Sequence, residues 1–301
     1  MARVRTAAFV VLAASASFNL ACGGAAGQKE SPMPIHSGFA EVNGTRLYYE
    51  TAGNGFPLVL IHGGLMDRRM WDGQIEPFSR DYRVIRYDVR GYDRSDKPRE
   101  PFSHVEDLHQ LLKFLKVDKA HILGLSMGGQ IAIDFALEHP GMTASLIPAA
   151  SAMTGFPYKD AEGLESQYEA VFAAAREGNM DRAVELTLRL PFFVPVKSDP
   201  ALPEKMKTMI RTNFMNWASS QARHAQWPEP PAYERISRLR TPTLILVGDH
   251  DVSDIQAVAD KLAASVPGAK KVVIRDAGHH LNMENPAAFN SAVLEFLKAC
   301  R

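Results

Sequence analysis

The chain reads as an α/β protein: a mostly parallel sheet with helices on both faces, broken by a helical cap insertion. Three observations predict this. Short continuous apolar runs, such as Pro57 to Ile61 and Ala120 to Leu123, recur along the chain, as expected of strands buried on both faces. Segments with apolar residues at helical spacing lie between them. From about Ala152 to Arg235 the strand-like runs disappear and helix-like segments follow one another. The 301 residues, 46% hydrophobic and 23% charged, suffice for a large core. A formal net charge of zero gives no broad basic surface for nucleic acid.

The first 27 residues have a different texture. Arg3 and Arg5 precede an apolar stretch from Ala7 to Leu20, and Ala21, Cys22, Gly23 and Gly24 follow. This is the layout of a secretory signal, too short to span a membrane. A cysteine directly after a small residue resembles a bacterial lipoprotein cleavage site, with Cys22 as the lipidated first residue, although Asn19 stands where such sites usually carry leucine. Plain cleavage near Ala26 or Gly27 is the competing reading. The expectation is an exported bacterial protein, periplasmic or anchored to a membrane through Cys22, with residues 28–35 as a tether. Cys22 and Cys300 are the only cysteines, so no internal disulfide scaffold is available.

The body of the chain divides into a first core half (36–151), a cap (152–236) and a second core half (237–301). Phe39 to Val42 and Arg46 to Thr51 form a hairpin around Asn43-Gly44. The strand Pro57 to Ile61 ends in His62-Gly63-Gly64-Leu65, and the strand Arg83 to Tyr87 ends in Asp88-Val89-Arg90-Gly91. Ser103 and Glu106 have capping-box spacing at the start of a helix whose apolar face is Val105, Leu108, Leu111, Leu112 and Leu115. The strand Ala120 to Leu123 leads through Gly124-Leu125-Ser126-Met127-Gly128 into a helix that Pro140 stops. Ser145 to Ala149 is a further strand. In the cap, helices are expected over about Ala161 to Arg176, Met180 to Leu190 and Leu202 to Trp217, with Phe192, Phe193, Val194, Trp217 and Trp227 as an apolar cluster over the sheet edge. Thr243 to Val247 resumes the sheet and ends in Gly248-Asp249-His250-Asp251. A helix capped by Ser253 with Gln256 follows. Val272 to Arg275 is the last strand, ending in Asp276-Ala277-Gly278-His279-His280. Asn285 caps the final helix, with Pro286 at its first position.

These loops share one property: a parallel sheet places ligands beyond the carboxyl ends of its strands. The G-x-S-x-G pattern at Ser126 lets a strand reverse sharply into a helix, leaving the serine hydroxyl at the apex beside the helix N-terminus. A serine hydroxyl is a weak nucleophile at neutral pH. It needs an imidazole to take its proton and a carboxylate to orient that imidazole. The chain supplies serine, acid and histidine in that order, each after a separate strand. Asp249, Asp251 and Asp254 are candidates for the acid, and His279 and His280 for the base; adjacent side chains in a loop diverge, so only one of the two histidines can face Ser126.

The motifs together resemble the α/β-hydrolase superfamily, serine-nucleophile and capped, over about Ile35 to Leu297. They are HGG at His62, D-x-R-G at Asp88, GLSMGG at Gly124, G-x-x-D at Gly248 and GH-x4-E-x-P at Gly278. The resemblance implies an α/β-hydrolase fold with Ser126 as nucleophile, Asp251 as acid and His279 as base. It implies an oxyanion hole made by the amides of Met127 and Gly64, with Leu65 as the alternative to Gly64. It gives His62 a structural role beneath that site. One departure stands out: where the family usually has G-x-G-x-S, the chain has Gly91-Tyr92-Asp93-Arg94-Ser95, so Asp93 replaces a glycine in a turn.

The expected function is hydrolysis of a carboxylic ester or lactone through an acyl-enzyme, most similar to the 3-oxoadipate enol-lactonase and esterase branch. A serine nucleophile argues against dehalogenase and epoxide hydrolase chemistry, which uses aspartate in this fold. Hydrolysis of a carbon–carbon bond, or a perhydrolase activity, is the alternative within the fold; a hydrolase-like ligand-binding protein with little turnover is the alternative outside it. No metal or organic cofactor is implied, and the partner is a small-molecule substrate.

Overall fold

The computed structural model describes residues 34–159, 163–196, 200–218 and 224–300. Among these residues, eight strands form one sheet: β1 (Ile35–Val42), β2 (Thr45–Ala52), β3 (Phe56–Ile61), β4 (Tyr82–Tyr87), β5 (Ala120–Leu125), β6 (Thr143–Ala149), β7 (Leu244–Gly248) and β8 (Lys270–Ile274). Their order is β1-β2-β4-β3-β5-β6-β7-β8. β1 runs antiparallel to β2, and β2 antiparallel to β4; the remaining neighbours are parallel. The β1–β2 hairpin closes where expected. Asn43 and Gly44 take left-handed φ values of 47° and 67°, and two such residues match the twist of the strands they join.

Five helices cover the sheet: α1 (Asp72–Ser79), α2 (His104–Phe114), α3 (Met127–Glu138), α8 (Ser253–Ser265) and α10 (Pro286–Ala299). Each buries one face against the strands. In α2 that face is Val105, Leu108, Leu111 and Leu112, and in α10 it is Phe289, Val293, Phe296 and Leu297. The central strands are buried on both sides; Leu58, Val59, Leu60 and Ile61 of β3 have no exposed surface. This double burial explains why β3 and β5 are continuous apolar runs rather than alternating ones.

Some details depart from the sequence reading. No element was expected between Leu65 and Arg83, yet a 3-10 turn at Arg68–Trp71 and helix α1 lie there. Gly73 and Pro77 hide α1, because both residues disfavour helix interiors; burial of Ile75 and Phe78 overrides them. At α8 the cap is Val252, not Ser253, and no side chain caps it. Asp251 fills the space instead: Val252 N–H donates to Asp251 Oδ1 at 2.8 Å, and Gln256 Nε2 donates to the Asp251 carbonyl at 2.7 Å. The caps at Ser103 and Asn285 form as expected, accepting from Glu106 N and Ala288 N at 3.3 Å each.

Between β6 and β7 stand α4 (Leu164–Arg176), α5 (Met180–Thr187) and α6 (Ala201–Ala218), with a short α7 (Ala232–Arg235) after them. Helix α5 ends at Thr187, short of Leu190, and Pro191 begins a 3-10 turn to Phe193. The apolar sides of these helices are buried, through Val171, Val184, Met206, Met209, Ile210 and Phe214. The export signal, the tether up to residue 33 and Cys22 lie outside the described residues. Beyond β8, a one-turn helix α9 (Leu281–Glu284) leads into α10.

Candidate active site

β5 ends at Leu125 and α3 starts at Met127, so Ser126 alone makes the turn. Its backbone is strained, with φ 56° and ψ −115°, an arrangement that costs a non-glycine residue on the order of 1–3 kcal/mol. The two flanking glycines are required by contact. A Cβ on Gly124 would stand 2.0 Å from the Gly128 carbonyl oxygen, and one on Gly128 would stand 2.2 Å from the Ile61 carbonyl oxygen. Ser126 N–H donates to the Ala149 carbonyl at 3.0 Å, which pins the apex to β6.

The loops after β7 and β8 bring Asp251 to His279. Nδ1 of His279 lies 3.0 and 3.1 Å from the two carboxylate oxygens of Asp251. A carboxylate only accepts, so Nδ1 carries the proton and Nε2 is left as a base. The Asp251 carboxylate is fully enclosed, and the His279 side chain is 6% exposed. Asp249 is placed differently: its Oδ1 accepts Ala277 N–H at 3.2 Å, and His250 N–H donates to the Ala277 carbonyl at 3.1 Å. Asp249 therefore ties the two loops together and does not hold a histidine of the site.

Ser126 and His279 line one cavity of about 470 Å³, together with Met127, Gly64, Leu65 and Gln130. Phe192 and Phe193 from the segment between β6 and β7 close one side of it, and the Phe192 ring sits 4.6 Å from that of His279. Of the other apolar residues expected over the sheet edge, Trp227 packs instead against His104, at 5.4 Å between rings, and Val194 is exposed. The Trp217 side chain lies outside what the structure describes.

His62 supports the loop carrying Gly64. It is fully buried, with Nδ1 2.8 Å from the Gly63 carbonyl and Nε2 accepting Val89 N–H at 3.0 Å. The carbonyl accepts and the amide donates, so the ring is the neutral Nδ1–H tautomer. Burial is the main cause that pushes its pKa down to about 4. Leu65 follows with φ 61°, a left-handed bend in the same loop.

Two residues join the histidine loop to the cap. His280 also lines the cavity beside His279, but its Nδ1 is taken by the Phe192 carbonyl at 2.9 Å. Burial pushes its pKa down to about 3, so it stays neutral. Glu284 accepts from Gly278 N and Val196 N at 3.0 Å and from His280 N at 3.1 Å. The sequence displayed Glu284 in its GH-x4-E-x-P motif but not what it holds.

Around Arg68 lies a buried ion network that the sequence did not reveal. Arg68 donates to Glu50 at 2.7 Å, Asp88 at 2.9 Å and Asp93 at 2.6 Å, while Arg86 donates to Glu50 at 2.6 Å. Asp93 adopts φ 35° in the position where the family has glycine. Its carboxylate answers Arg68, and its N–H donates to Asn213 of α6 at 2.8 Å. Asn213 Nδ2 in turn donates to Asp67 at 3.0 Å. The substitution therefore adds an ion pair and a link to the cap without entering the cavity.

Among the described residues, two groups of side chains have ligand atoms close enough for a metal, Asp67-Asp88-Asp93 and Glu106-His109-His139. The first is occupied by Arg68 and Arg69. The second lies between α2 and the end of α3, and none of its members lines the cavity.

A strained serine at a strand-to-helix turn, on the wall of a cavity it shares with a histidine oriented by a buried acid, defines the class. Residues 57–286 match the family model described as the alpha/beta hydrolase fold, and the chain belongs to that family. It is a hydrolase. It is 27% identical over 268 residues to a 2-hydroxy-6-oxononadienedioate/2-hydroxy-6-oxononatrienedioate hydrolase of Comamonas testosteroni, covering 84% of this chain and 91% of that protein. Among solved structures it is similar to an enol-lactonase from Burkholderia xenovorans, with a TM-score of 0.73 and 26% identity over 87% of this chain and 100% of that one. It is also similar to a thermophilic esterase from Thermogutta terrifontis, with a TM-score of 0.72 and 27% identity over 88% and 99% of the two chains.

Proposed function

We propose that the protein hydrolyses carboxylic esters or lactones through an acyl-enzyme. The observation that carries this reading is the pair of contacts from His279 Nδ1 to both oxygens of Asp251, with Ser126 on the wall of the same cavity. In this reading the Ser126 hydroxyl attacks the substrate carbonyl as its proton passes to His279 Nε2. The buried Asp251 carboxylate keeps the ring oriented and stabilises the imidazolium. Negative charge developing on the carbonyl oxygen falls to the amides of Met127 and Gly64, the first at the N-terminus of α3 where the helix dipole favours an anion. Collapse expels the alcohol, which takes the proton from His279. Water then repeats the sequence and releases the acid.

The similarity to the Comamonas hydrolase and to the enol-lactonase supports two neighbouring readings, carbon–carbon bond hydrolysis and lactone opening. Turnover separates them. Short p-nitrophenyl esters and lactones are expected to be cleaved by the wild type and left intact by Ser126→Ala. Cleavage of a vinylogous diketone acid, with no turnover of esters, would move the assignment to carbon–carbon hydrolysis. Binding without turnover of either would make the chain a ligand-binding protein.

The N-terminal sequence supports export with lipidation at Cys22. In a bacterial host the full chain is expected in the membrane fraction and Cys22→Ala in the soluble one; a Cys22→Ala protein that remains with membranes speaks against lipidation.

A further inference from the structure

Outside the cavity, one carboxylate and two imidazoles converge where α2 meets the end of α3. We propose that Glu106, His109 and His139 form a site for a divalent transition-metal ion such as zinc, which ties the two helices together. The inference stands apart from the ester or lactone reading.

Glu106 and His109 are three residues apart in α2, so they share one face of that helix. His139 follows the last residue of α3. Each of the three offers a ligand atom, and these atoms all lie within 4.8 Å of one another. Nδ1 of His109 stands 3.3 Å from Oε2 and 3.4 Å from Oε1 of Glu106. That is long for an N–H···O bond, whose usual range is about 2.7–3.2 Å. It is close to the separation of about 3.4 Å between two ligands held tetrahedrally at zinc distances of about 2.0–2.2 Å. The rings of His109 and His139 stack at 4.2 Å between centroids, 23° from parallel. Drawing all three ligand atoms in around one ion takes side-chain shifts under about 1 Å.

The donor set suits such an ion. Imidazole nitrogen and carboxylate oxygen are zinc ligands, and three protein ligands leave a fourth position for water. Gln110 Nε2 donates to Glu106 Oε1 at 2.6 Å, which orients the carboxylate while Oε2 remains to ligate. Burial, the largest cause, pulls the His139 pKa down, so its ring keeps a lone pair at neutral pH. Of the charges acting on that ring, Glu106 and Glu138 favour a cation and Lys113 opposes one. The dipole of α3 also favours a cation at this end of the helix. All three side chains are half-buried, which leaves a path in from solvent.

The same residues have a plain structural use, as a pair on one helix face and a ring stack between two helices. That use predicts no affinity for zinc and no stabilisation by it, so metal binding separates the two.

The test titrates the full chain, prepared without a histidine tag and freed of metal by a chelator, with zinc chloride in a calorimeter at pH 7.5. One ion is expected to bind with a dissociation constant of about 10 μM or below, and about 100 μM zinc to raise the melting temperature by about 2–5 °C. Glu106→Gln, His109→Ala and His139→Ala are each expected to weaken zinc binding by at least about tenfold and to remove most of the melting shift. Glu106→Gln changes one atom of a half-buried side chain, so it decides the question should the histidine variants fail to fold. A wild type that binds no zinc at about 100 μM, or zinc binding that none of the folded variants weakens, overturns the site.

Discussion

His279 Nδ1 lies almost equidistant from the two carboxylate oxygens of Asp251, at 3.0 and 3.1 Å, with the carboxylate fully enclosed. Removing the charge while keeping the shape therefore strikes the tautomer as well as the orientation of the ring. Asp251→Asn is expected to lower kcat by about 10⁴-fold, whereas Asp249→Asn, which loosens a contact between loops, costs less than about tenfold. Steady-state kinetics on one ester decides it. Equal losses would mean that the acid has been misassigned.

Glu284 offers a test of positioning. Its three accepted backbone N–H bonds hold the loop on both sides of His279 and the cap segment at Val196. Displacing a reacting group by about 1 Å costs on the order of a hundredfold. Glu284→Ala is expected to lower kcat about 10- to 100-fold, with Glu284→Gln recovering part of the loss because one acceptor oxygen remains. A merely structural glutamate would lower the melting temperature in both variants while leaving the kcat of the folded fraction intact.

The serine turn separates two kinds of glycine. Gly124→Ala drives a Cβ into the Gly128 carbonyl, and the backbone cannot yield without moving Ser126. Loss of at least about 3 kcal/mol, or failure to fold, is expected. At Gly64 a Cβ meets nothing within 4 Å. Gly64→Ala should fold with a stability change under about 1 kcal/mol and keep activity within tenfold, because the oxyanion donor proposed there is the backbone amide, which the substitution keeps. Chemical unfolding and ester kinetics on the two purified variants check both halves; a robust Gly124→Ala enzyme would contradict the packing argument.

How much of this was legible in the sequence follows from the kind of interaction involved. Strands β3, β5 and β7 were readable because burial on both faces demands continuous apolar runs, and the hairpin because Asn43-Gly44 suits only left-handed backbone. The loops bearing Ser126, Asp251 and His279 were readable because each follows such a strand. Helix α1 was not, since Gly73 and Pro77 mask a helix that tertiary burial sustains. Nor were the places of Asp254 and Arg68. Asp254 stands in the first turn of α8, and only folding of the loops shows that it also lines the cavity. The partners of Arg68 lie 18 to 25 residues away, and no local spacing announces them.

The ion network also has a pH signature. Burial, its largest cause, holds the Asp88 pKa up at about 7 against the pull of Arg68, whose guanidinium is shared with Glu50 and Asp93. An unfolded aspartate releases its proton near pH 3.9. Between about pH 4 and 7 the folded state therefore holds the extra proton, and this group's contribution to stability declines as pH rises through that window. His62 and His280 act oppositely, their folded pKa values being depressed, but they are common to wild type and variant. The stability of Asp88→Asn relative to wild type is expected to improve from pH 4.5 to pH 7.5 in urea unfolding. Parallel curves across that range would show that Asp88 titrates normally.

The most direct measurement is covalent labelling of the nucleophile. Diethyl p-nitrophenyl phosphate transfers its phosphoryl group only to an activated hydroxyl and releases p-nitrophenolate in equal amount. Peptide mass spectrometry is expected to find a single diethylphosphoryl group on Ser126, with esterase activity lost in parallel and with labelling slowed sharply in His279→Ala. Labelling at another residue, or ester turnover that persists after Ser126 is fully modified, would contradict the account.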